Sequence, residues 1–221
     1  TLEDIQKTKI DFKNAALNAM KAGFDGVELH AANGYLLHQF FNLYSNVRQD
    51  QYGGSIENRA RILFDILDEV KKVMDIKRVG VRLNPSLHGI QGMMLDEDTI
   101  AVHDYIVEKL NNYDLAYLHL TEPFTDVSEN PLAIQEVAKH FRPIYKGTLI
   151  INRGFNKDTA NQVLNSGDAN LVAFGAPYIA NPDLVERFKA DAPLNQPDSS
   201  TFYTPGTKGY TDYPTLSEEL K

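Results

Sequence analysis

Three side chains with complementary chemistry lie close together in the segment Glu-Leu-His-Ala-Ala-Asn-Gly-Tyr at residues 28–35. His30 and Asn33 can each donate a hydrogen bond, and two donors that converge on one oxygen stabilise the negative charge developing on a carbonyl or nitro group. Tyr35 carries a phenolic proton that is retained at neutral pH, so it is a candidate general acid. A single histidine or tyrosine is more often a packing residue, and the prediction of a catalytic site therefore depends on the combination.

Arg82 is a second candidate, because it lies near the end of the apolar run Val79–Leu83. An unpaired charge in such a position would be costly, so Arg82 needs an anionic partner. A carboxylate such as Glu28 or Glu122 would meet this need structurally. A bound anionic group would meet it functionally.

Five short runs of β-branched or aliphatic residues alternate with segments of helical periodicity. We predict strands at Val27–Ala31, Val79–Leu83, 116–120, 148–152 and 171–175, and helices near 8–22, 55–74, 98–111, 130–140, 157–166 and 182–190. This alternation indicates βα units and a parallel α/β sheet covered by helices. Ser55 is a good N-cap for the second helix, and Asn181 followed by Pro182 predicts the cap and first residue of the last one.

The predicted units form one domain over residues 1–221, with a tail at 191–221 that is rich in Pro, Ser, Thr, Gly and Tyr and lacks periodicity. Five units cannot close a barrel of eight strands, which typically needs about 250 residues, so strands are missing or the sheet is open. A doubly wound sheet is the alternative. Its Gly-x-Gly-x-x-Gly sequence after the first strand is absent.

Composition restricts the class of protein. The chain has 221 residues, of which 43% are hydrophobic and 24% charged, and its net charge is −8, so we expect a folded, soluble domain without nucleic-acid partners. The absence of cysteine excludes disulfides, thiolate zinc sites and iron–sulfur clusters. No apolar run approaches a membrane span and the start has no signal-peptide profile, so we expect a cytoplasmic protein, and the initial Thr suggests a cleaved or truncated product.

The sequence His-x-x-Asn-Gly-Tyr-Leu at residues 30–36 resembles the substrate-binding and proton-donor motif of the Old Yellow Enzyme family. Residues 48–59, Arg-Gln-Asp-Gln-Tyr-Gly-Gly-Ser-Ile-Glu-Asn-Arg, are similar to a second motif of that family, which we interpret as architectural. The resemblance covers nearly the whole chain and begins at the fourth strand. It implies a TIM (β/α)8 barrel of the FMN-linked oxidoreductase type, present here as about five βα units, strands four to eight.

The resemblance also implies a reaction and roles for individual residues. NADH or NADPH would reduce FMN, and the reduced flavin would pass a hydride to an alkene activated by a carbonyl or nitro group. His30 and Asn33 would hold the activating oxygen, and Tyr35 would protonate the α-carbon. Arg82 matches an arginine that contacts the pyrimidine side of the flavin, and Tyr203 matches a tail residue that lines the substrate pocket.

The loops after the last two strands resemble the part of the family's barrel that binds the FMN phosphate, where backbone N–H groups favour an anion. Arg153 and Gly154 belong to the first of these loops, and Gly175 and Ala176 to the second. Family members commonly carry arginine where this chain has Ala176. We hypothesise that Arg153 supplies the missing positive charge from the neighbouring loop.

Two other classes of protein remain as alternatives. One is an inactive half-barrel or fragment that needs its N-terminal part or a partner chain, and that self-associates through exposed sheet edges. The other is a flavin-independent barrel enzyme such as an aldolase, but no predicted strand ends in the lysine that it would need. No metal site is expected, because the remaining histidines have no ligand-like spacing and are predicted to be structural or solvated: His38, His88, His103, His119 and His140.

Overall fold

The computed structural model describes residues 1–219, so the last two residues of the predicted tail lie outside the described part. Five strands form one parallel sheet in the order β1-β2-β3-β4-β5: β1 Val27–Ala31, β2 Val79–Leu83, β3 Tyr117–Thr121, β4 Leu149–Asn152 and β5 Leu171–Ala173. Each strand is added beside the preceding one without a reversal of order. This is the winding of a (β/α)8 barrel and differs from a doubly wound sheet, which reverses at a switch point.

Helices connect the strands and cover one face of the sheet. They are α1 Leu2–Lys21, α2 Leu36–Phe41, α3 Ile56–Val70, α4 Thr99–Leu110, α5 Val137–Phe141, α6 Lys157–Asn165, α7 Ala176–Ala180, α8 Leu184–Ala190 and α9 Leu216–Glu219, with 3-10 turns at Ile76–Arg78 and Ser199–Thr201. The sequence did not predict α2 and α7, because segments this short do not display a full helical period. None of the helices within residues 1–219 has the length and apolar character needed to cross a membrane.

Several predicted boundaries were wrong. The first helix begins at Leu2 and not near residue 8, because the Thr1 hydroxyl accepts the N–H of Asp4 at 3.1 Å in a capping box that stabilises an otherwise polar first turn. The helix between β3 and β4 begins at Val137 and not at 130, and the last strand ends at Ala173 and not at 175. In both places an irregular loop replaces the end of the predicted element.

Asn181 does not cap the helix predicted at 182–190 with its side chain, which corrects a second prediction. Its Nδ2 donates to the carbonyl of Pro177 at 2.8 Å, and its Oδ1 accepts the N–H of Asn195 at 2.8 Å. The helix begins at Leu184, after Asp183. Asn181 therefore ties the tail to α7 and leaves α8 without a side-chain cap.

The buried Arg187 holds the tail in the same region. Its Nη1 donates to the carbonyl of Pro193 at 2.7 Å and its Nη2 to the carbonyl of Pro214 at 3.1 Å, while its Nε pairs with Asp183 at 2.9 Å. A guanidinium with several donors can bind several separate carbonyls at once. Arg187 thus binds the irregular tail at two separate carbonyls and fixes it against α8.

Alternation along the strands separates an apolar outer face from a polar inner face. The register pairs Leu29 with Val81, Val81 with Leu118, and Leu118 with Leu149, and this outer row is buried against the helices. The residues between them point to the opposite face, which carries Glu28, His30, Arg82, Tyr117, His119, Thr121, Ile150 and Asn152. The inner face therefore collects the polar side chains that the sequence distributes over four strands.

Candidate active site

The turn after β1 places Asn33 and Tyr35 beside the end of the strand. Asn33 and Gly34 adopt φ values of +56° and +80°, a left-handed conformation that asparagine and glycine tolerate best. The N–H of Tyr35 donates to the carbonyl of Ala32 at 3.1 Å and closes the turn. Helix α2 begins directly afterwards, so the turn is short and bounded by regular structure on both sides.

The structure brings His30 and Tyr35 together. Their ring centroids lie 5.2 Å apart at an interplanar angle of 58°, and the Tyr35 side chain is 54% exposed. Burial lowers the pKa of His30, and the neighbouring positive charge of Arg82 lowers it further. His30 is therefore a neutral imidazole at pH 7, with one N–H to donate and one nitrogen to accept.

The carboxamide of Asn33 is hydrogen-bonded at one end. Its Oδ1 accepts a hydrogen bond of 2.8 Å from Nδ2 of Asn84, which follows β2. Among residues 1–219, no hydrogen bond engages Nδ2 of Asn33. The amide nitrogen is consequently the end of Asn33 that can donate to a substrate.

Arg82 lies next to His30 on the inner face, and no carboxylate within the described part of the chain forms an ion pair with it. Its Nε is buried and has no hydrogen-bond partner among the described residues. Glu122 is occupied elsewhere, because it accepts the N–H groups of Val137 and Ala138 at 3.0 and 3.2 Å. The structural alternative for Arg82, a pair with Glu28 or Glu122, is therefore not formed.

Glu28 bonds instead to His119, which is a site residue that sequence analysis missed. Oε2 of Glu28 lies 2.9 Å from Nδ1 of His119, and Nε2 of His119 lies 2.5 Å from Nδ2 of Asn152. Burial acts to raise the pKa of Glu28, but hydrogen bonds from His119 and Tyr117 and nearby positive charge outweigh burial, so the pKa is lowered. The period-two alternation of β3 was the signal that could have placed His119 on the inner face.

Tyr117 also contacts Glu28 and belongs to the same group of polar side chains on the inner face. Burial, together with the charge and hydrogen bond of Glu28, raises the pKa of Tyr117 to about 12. The phenol therefore remains protonated over the ordinary pH range and acts as a donor to Glu28. Its ring also lies against Gly80, where an added Cβ would come within 2.3 Å of the aromatic carbon Cε2.

One cavity of about 380 Å³ unites the predicted cofactor residues. It lies at the carboxyl ends of β2 to β5, and its lining contains every residue that the sequence assigned to the cofactor: Arg82, Arg153, Gly154, Gly175 and Ala176. His119 and Asn152 contribute to the same wall. Residues from the ends of four strands, and from the loops that follow β3, β4 and β5, thus line a single cavity.

Arg153 occupies a constrained position in this cavity. Its backbone is left-handed, with φ of +87°, and Gly154 follows with φ of +76°. The guanidinium lies 4.4 Å from the centroid of the Phe124 ring, and Nη2 donates to the carbonyl of Phe124 at 2.9 Å. The side chain is therefore held at the cavity wall, where it also borders a second cavity of about 510 Å³ beside α5 and α6.

Tyr203 is not brought to the strand end. Its side chain is 98% exposed and its backbone is left-handed, with φ of +61°. Such an exposed ring contacts neither His30 nor Asn33 in this structure. Its assignment to the substrate pocket stays a prediction.

The remaining histidines lie apart from the cavity. His38 and His103 are buried with ring centroids 5.9 Å apart, and His140 lies 2.6 Å from a carboxylate oxygen of Asp104. Nδ1 of His88 accepts the N–H of Leu95 at 3.4 Å. Across residues 1–219, no three His, Asp or Glu side chains are arranged to hold a metal ion.

The segment 48–61 has structural roles. The Arg59 side chain is 1% exposed and donates to the carbonyls of Phe41 and Gly54 at 2.8 and 2.5 Å and to Asp98 at 2.8 Å. The Tyr52 hydroxyl donates to Asp65 at 2.7 Å. These contacts fix the long loop between α2 and α3, as expected for an architectural motif.

The sheet order, the polar strand ends and the shared cavity define part of a (β/α)8 barrel with a candidate site at its carboxyl end. The sequence model described as the NADH:flavin oxidoreductase / NADH oxidase family matches residues 1–195. The chain belongs to this family, the Old Yellow Enzyme family, and the predicted fold is confirmed as a barrel of which five strands are present.

Curated relatives are longer than this chain. It is 44% identical over 220 residues to the putative 12-oxophytodienoate reductase 5 of Oryza sativa subsp. japonica, a match that covers 99% of this chain and 58% of the relative. It is 41% identical over 217 residues to 12-oxophytodienoate reductase 2 of Arabidopsis thaliana, covering 98% and 58%. The chain therefore spans slightly less than three fifths of the length of these proteins.

Solved structures give the same picture. Morphinone reductase in complex with tetrahydroNAD superposes with a TM-score of 0.90 at 42% identity, covering 100% of this chain and 58% of that protein. The Old Yellow Enzyme homologue of Zymomonas mobilis superposes with a TM-score of 0.90 at 38% identity, covering 98% and 60%. Both similarities extend over the whole described sheet.

Proposed function

We propose that the protein reduces carbon–carbon double bonds activated by a carbonyl or nitro group, with FMN as cofactor and NADH or NADPH as hydride donor. The observation that carries this proposal is the placement of His30, Asn33 and Tyr35 at the same sheet end as the cavity lined by Arg82 and Arg153. Relatives named as reductases, one of them solved with tetrahydroNAD, support the class of reaction and a nicotinamide donor.

The cavity suits FMN on its own chemistry. The buried Nε of Arg82 lacks a partner among residues 1–219, and a flavin ring offers acceptor atoms and accumulates negative charge on reduction. A Cβ added at Gly154 or Gly175 would meet nothing within 4 Å, so the backbone at both positions is open to an approaching group. Arg153 and the N–H of Ala176 add positive charge and a donor for the phosphate.

FMN and the three side chains at the end of β1 have separate roles in the proposed reaction. FMN would supply hydride transfer, which no side chain of this protein can provide. The neutral His30 and the free amide nitrogen of Asn33 bind the activating oxygen and stabilise its developing negative charge. Tyr35, whose ring lies beside His30, gives its proton to the α-carbon. The site thus combines orientation, oxyanion stabilisation and proton donation.

An absorbance scan and an activity assay test the proposal. After incubation with FMN and gel filtration, the protein should retain a flavin absorption band and should oxidise NADH or NADPH when 2-cyclohexen-1-one is added. Retention of the flavin band without consumption of the enone would contradict the ene-reductase assignment.

A second candidate is supported by the open sheet. Among the described residues, β1 and β5 each pair on one side only, and the relatives are longer than the chain. In this proposal, residues 1–221 are the C-terminal part of one FMN-binding domain and need the N-terminal strands or a partner chain for activity. A colourless chain that self-associates, and becomes yellow and active when produced with the corresponding N-terminal segment, would favour this candidate.

A further inference from the structure

We propose that Asn84 is a positioning residue that fixes the orientation of the Asn33 carboxamide, so that the amide nitrogen and not the oxygen faces the substrate. This inference depends on the proposed function, in which Asn33 donates to the activating oxygen. Asn84 itself contacts neither substrate nor cofactor in this proposal and acts through Asn33.

The hydrogen bond between the two amides defines the orientation. Nδ2 of Asn84 donates to Oδ1 of Asn33 at 2.8 Å. The two ends of a carboxamide have nearly the same shape, so hydrogen-bonding partners decide which end points where. Because Asn84 engages the oxygen of Asn33, the nitrogen is left without a hydrogen-bond partner among residues 1–219. A substrate carbonyl needs that donor, since an amide oxygen in its place would repel it.

The burial of Asn84 supports a function for its side-chain N–H group. The side chain is fully buried, and its Oδ1 has no hydrogen-bond partner among the described residues. Burying an unsatisfied acceptor destabilises a protein, and an apolar side chain of similar shape would avoid the cost. The N–H group donated to Asn33 is what such a replacement would remove.

The backbone around Asn84 prevents it from moving away. Pro85 follows directly and restricts the preceding residue to extended conformations. One residue further, the Ser86 hydroxyl donates to the carbonyl of Ile134 at 2.8 Å and accepts its N–H at 2.9 Å. Asn84 therefore lies in a segment that two hydrogen bonds, between Ser86 and the backbone of Ile134, hold in place.

The same loop also packs against the turn. A Cβ added at Gly34 would lie 2.9 Å from Cγ of Met93 and 3.2 Å from Oε1 of Gln91. The turn and the loop after β2 are thus in contact on two sides, at Asn33 through a hydrogen bond and at Gly34 through packing. We therefore expect a substitution at Asn84 to change the orientation of the Asn33 side chain.

Asn84→Asp is the decisive variant, because it keeps the shape and replaces the donor with an acceptor. The carboxylate should draw Nδ2 of Asn33 toward itself and turn the Asn33 oxygen to the substrate. In the FMN-loaded protein at pH 8, we expect the dissociation constant for cyclohexanone and the Michaelis constant for cyclohexenone each to rise about tenfold. An Asn84→Leu variant, which provides neither donor nor acceptor, should show a smaller rise in both constants.

The pH profile separates positioning from a structural effect. As the pH falls, the introduced carboxyl of Asn84→Asp becomes protonated and can donate to Oδ1 of Asn33, so cyclohexanone affinity should recover. The wild-type protein at the same pH values controls for titration of His30 and His38, which lie near the turn. A Kd in Asn84→Asp that stays raised to the same extent at every pH would overturn the proposal.

A double-mutant cycle tests whether Asn84 acts through Asn33. In an Asn33→Ala background, Asn84→Asp should cause no further rise in the Kd of cyclohexanone. An additional tenfold rise in that background would show that Asn84 acts by another route and would refute the inference.

Side-chain amide NMR keeps the inference testable if the protein reduces no alkene. The Nδ2 protons of Asn33, assigned by their loss in Asn33→Ala, should exchange more slowly with solvent in Asn84→Asp than in wild type, because they become hydrogen-bonded. Unchanged exchange would refute the inference. Absence of enone reduction in the wild type, with this NMR change present, would refute only the proposed function.

Discussion

The backbone N–H of Gly34 donates to Nδ1 of His38 at 3.1 Å, so a buried histidine of α2 holds the turn that carries Asn33 and Tyr35. Nδ1 can accept this hydrogen bond only while it is unprotonated. The neighbouring Gln39 donates from Nε2 to the carbonyl of Gly34 at 2.7 Å, so both polar groups of that residue are bound by the same helix. The conformation of the proposed catalytic turn thus depends on a neutral His38.

The first prediction concerns stability in acid. Burial lowers the pKa of His38 to about 3, and the buried His103 also has a lowered pKa, first because of burial. Between pH 6.5 and 3 the unfolded chain therefore binds more protons than the folded chain, and stability falls as the pH falls. His38 alone should reduce the free energy of unfolding by about 2 kcal/mol between pH 7 and pH 5, measured by urea denaturation.

His38→Asn and His38→Leu separate the two roles of this side chain. Asparagine places an acceptor near the position of Nδ1 and does not titrate, so the loss of stability between pH 7 and pH 5 should be smaller than in wild type while Gly34 keeps its protection from hydrogen exchange. Leucine should reduce the loss of stability between pH 7 and pH 5 to a similar extent but should expose the Gly34 amide to exchange. An undiminished acid loss in His38→Asn would contradict the prediction.

Tyr35→Phe should slow the second half of the reaction selectively. The exposed phenol supplies a proton to the α-carbon, whereas transfer of hydride from NADH or NADPH to the flavin requires no proton from Tyr35. We expect the rate of enone reduction to fall by roughly 10²-fold to 10⁴-fold, with flavin reduction nearly unchanged. Stopped-flow absorbance measures the two half-reactions separately, and an equal loss in both would argue against a proton donor.

Arg82→Met should weaken FMN binding. The guanidinium is the partially buried charge at the cavity wall whose Nε lacks a partner among residues 1–219, and methionine keeps an unbranched side chain without the charge. Loss of a charge-assisted hydrogen bond of about 2 kcal/mol corresponds to roughly a thirtyfold rise in the Kd of FMN. Fluorescence titration with FMN measures the constant. Unaltered affinity would mean that Arg82 does not contact the cofactor.

Arg153→Ala should weaken FMN binding through its phosphate. Arg153 lies at the wall of the same cavity as Ala176, where the second loop offers no charge. We expect the Kd of FMN to rise about tenfold, and the Kd of riboflavin, which has no phosphate, to change little. Arg78→Ala, an exposed arginine before β2, is the matched control. Equal effects on FMN and riboflavin would remove the argument that Arg153 replaces a missing charge.

Arg59→Met should lower the free energy of unfolding without changing any residue that lines the cavity. The substitution would leave the carbonyls of Phe41 and Gly54 and the carboxylate of Asp98 without their donor. Breaking a buried charged network of this kind costs about 3 to 5 kcal/mol. Chemical denaturation measures the change. Arg61→Met, at an exposed position two residues further on, should cost less than about 1 kcal/mol, and similar losses in both variants would contradict the assigned role.

The sequence alone determined the parallel sheet and the composition of its strand ends. Apolar runs separated by helical segments located β1 and β2 to the residue, because both signals are local and their periodicities differ. The end of β1 beside His30 followed for the same reason, whereas the left-handed backbone of Asn33 and Gly34 is seen only in the structure. The five residues assigned to the cofactor came from a resemblance, and the structure places all five around one cavity.

Only the tertiary structure decided which side chains share a hydrogen bond across distant strands. Glu28, His119 and Asn152 form one chain of contacts, and Asn84 meets Asn33, although each residue lies far from its partner in sequence. Strand register brings the first three residues together, and the course of the loop after β2 brings the last two together. Side-chain contacts of this kind depend on register and loop path, which a local pattern does not encode.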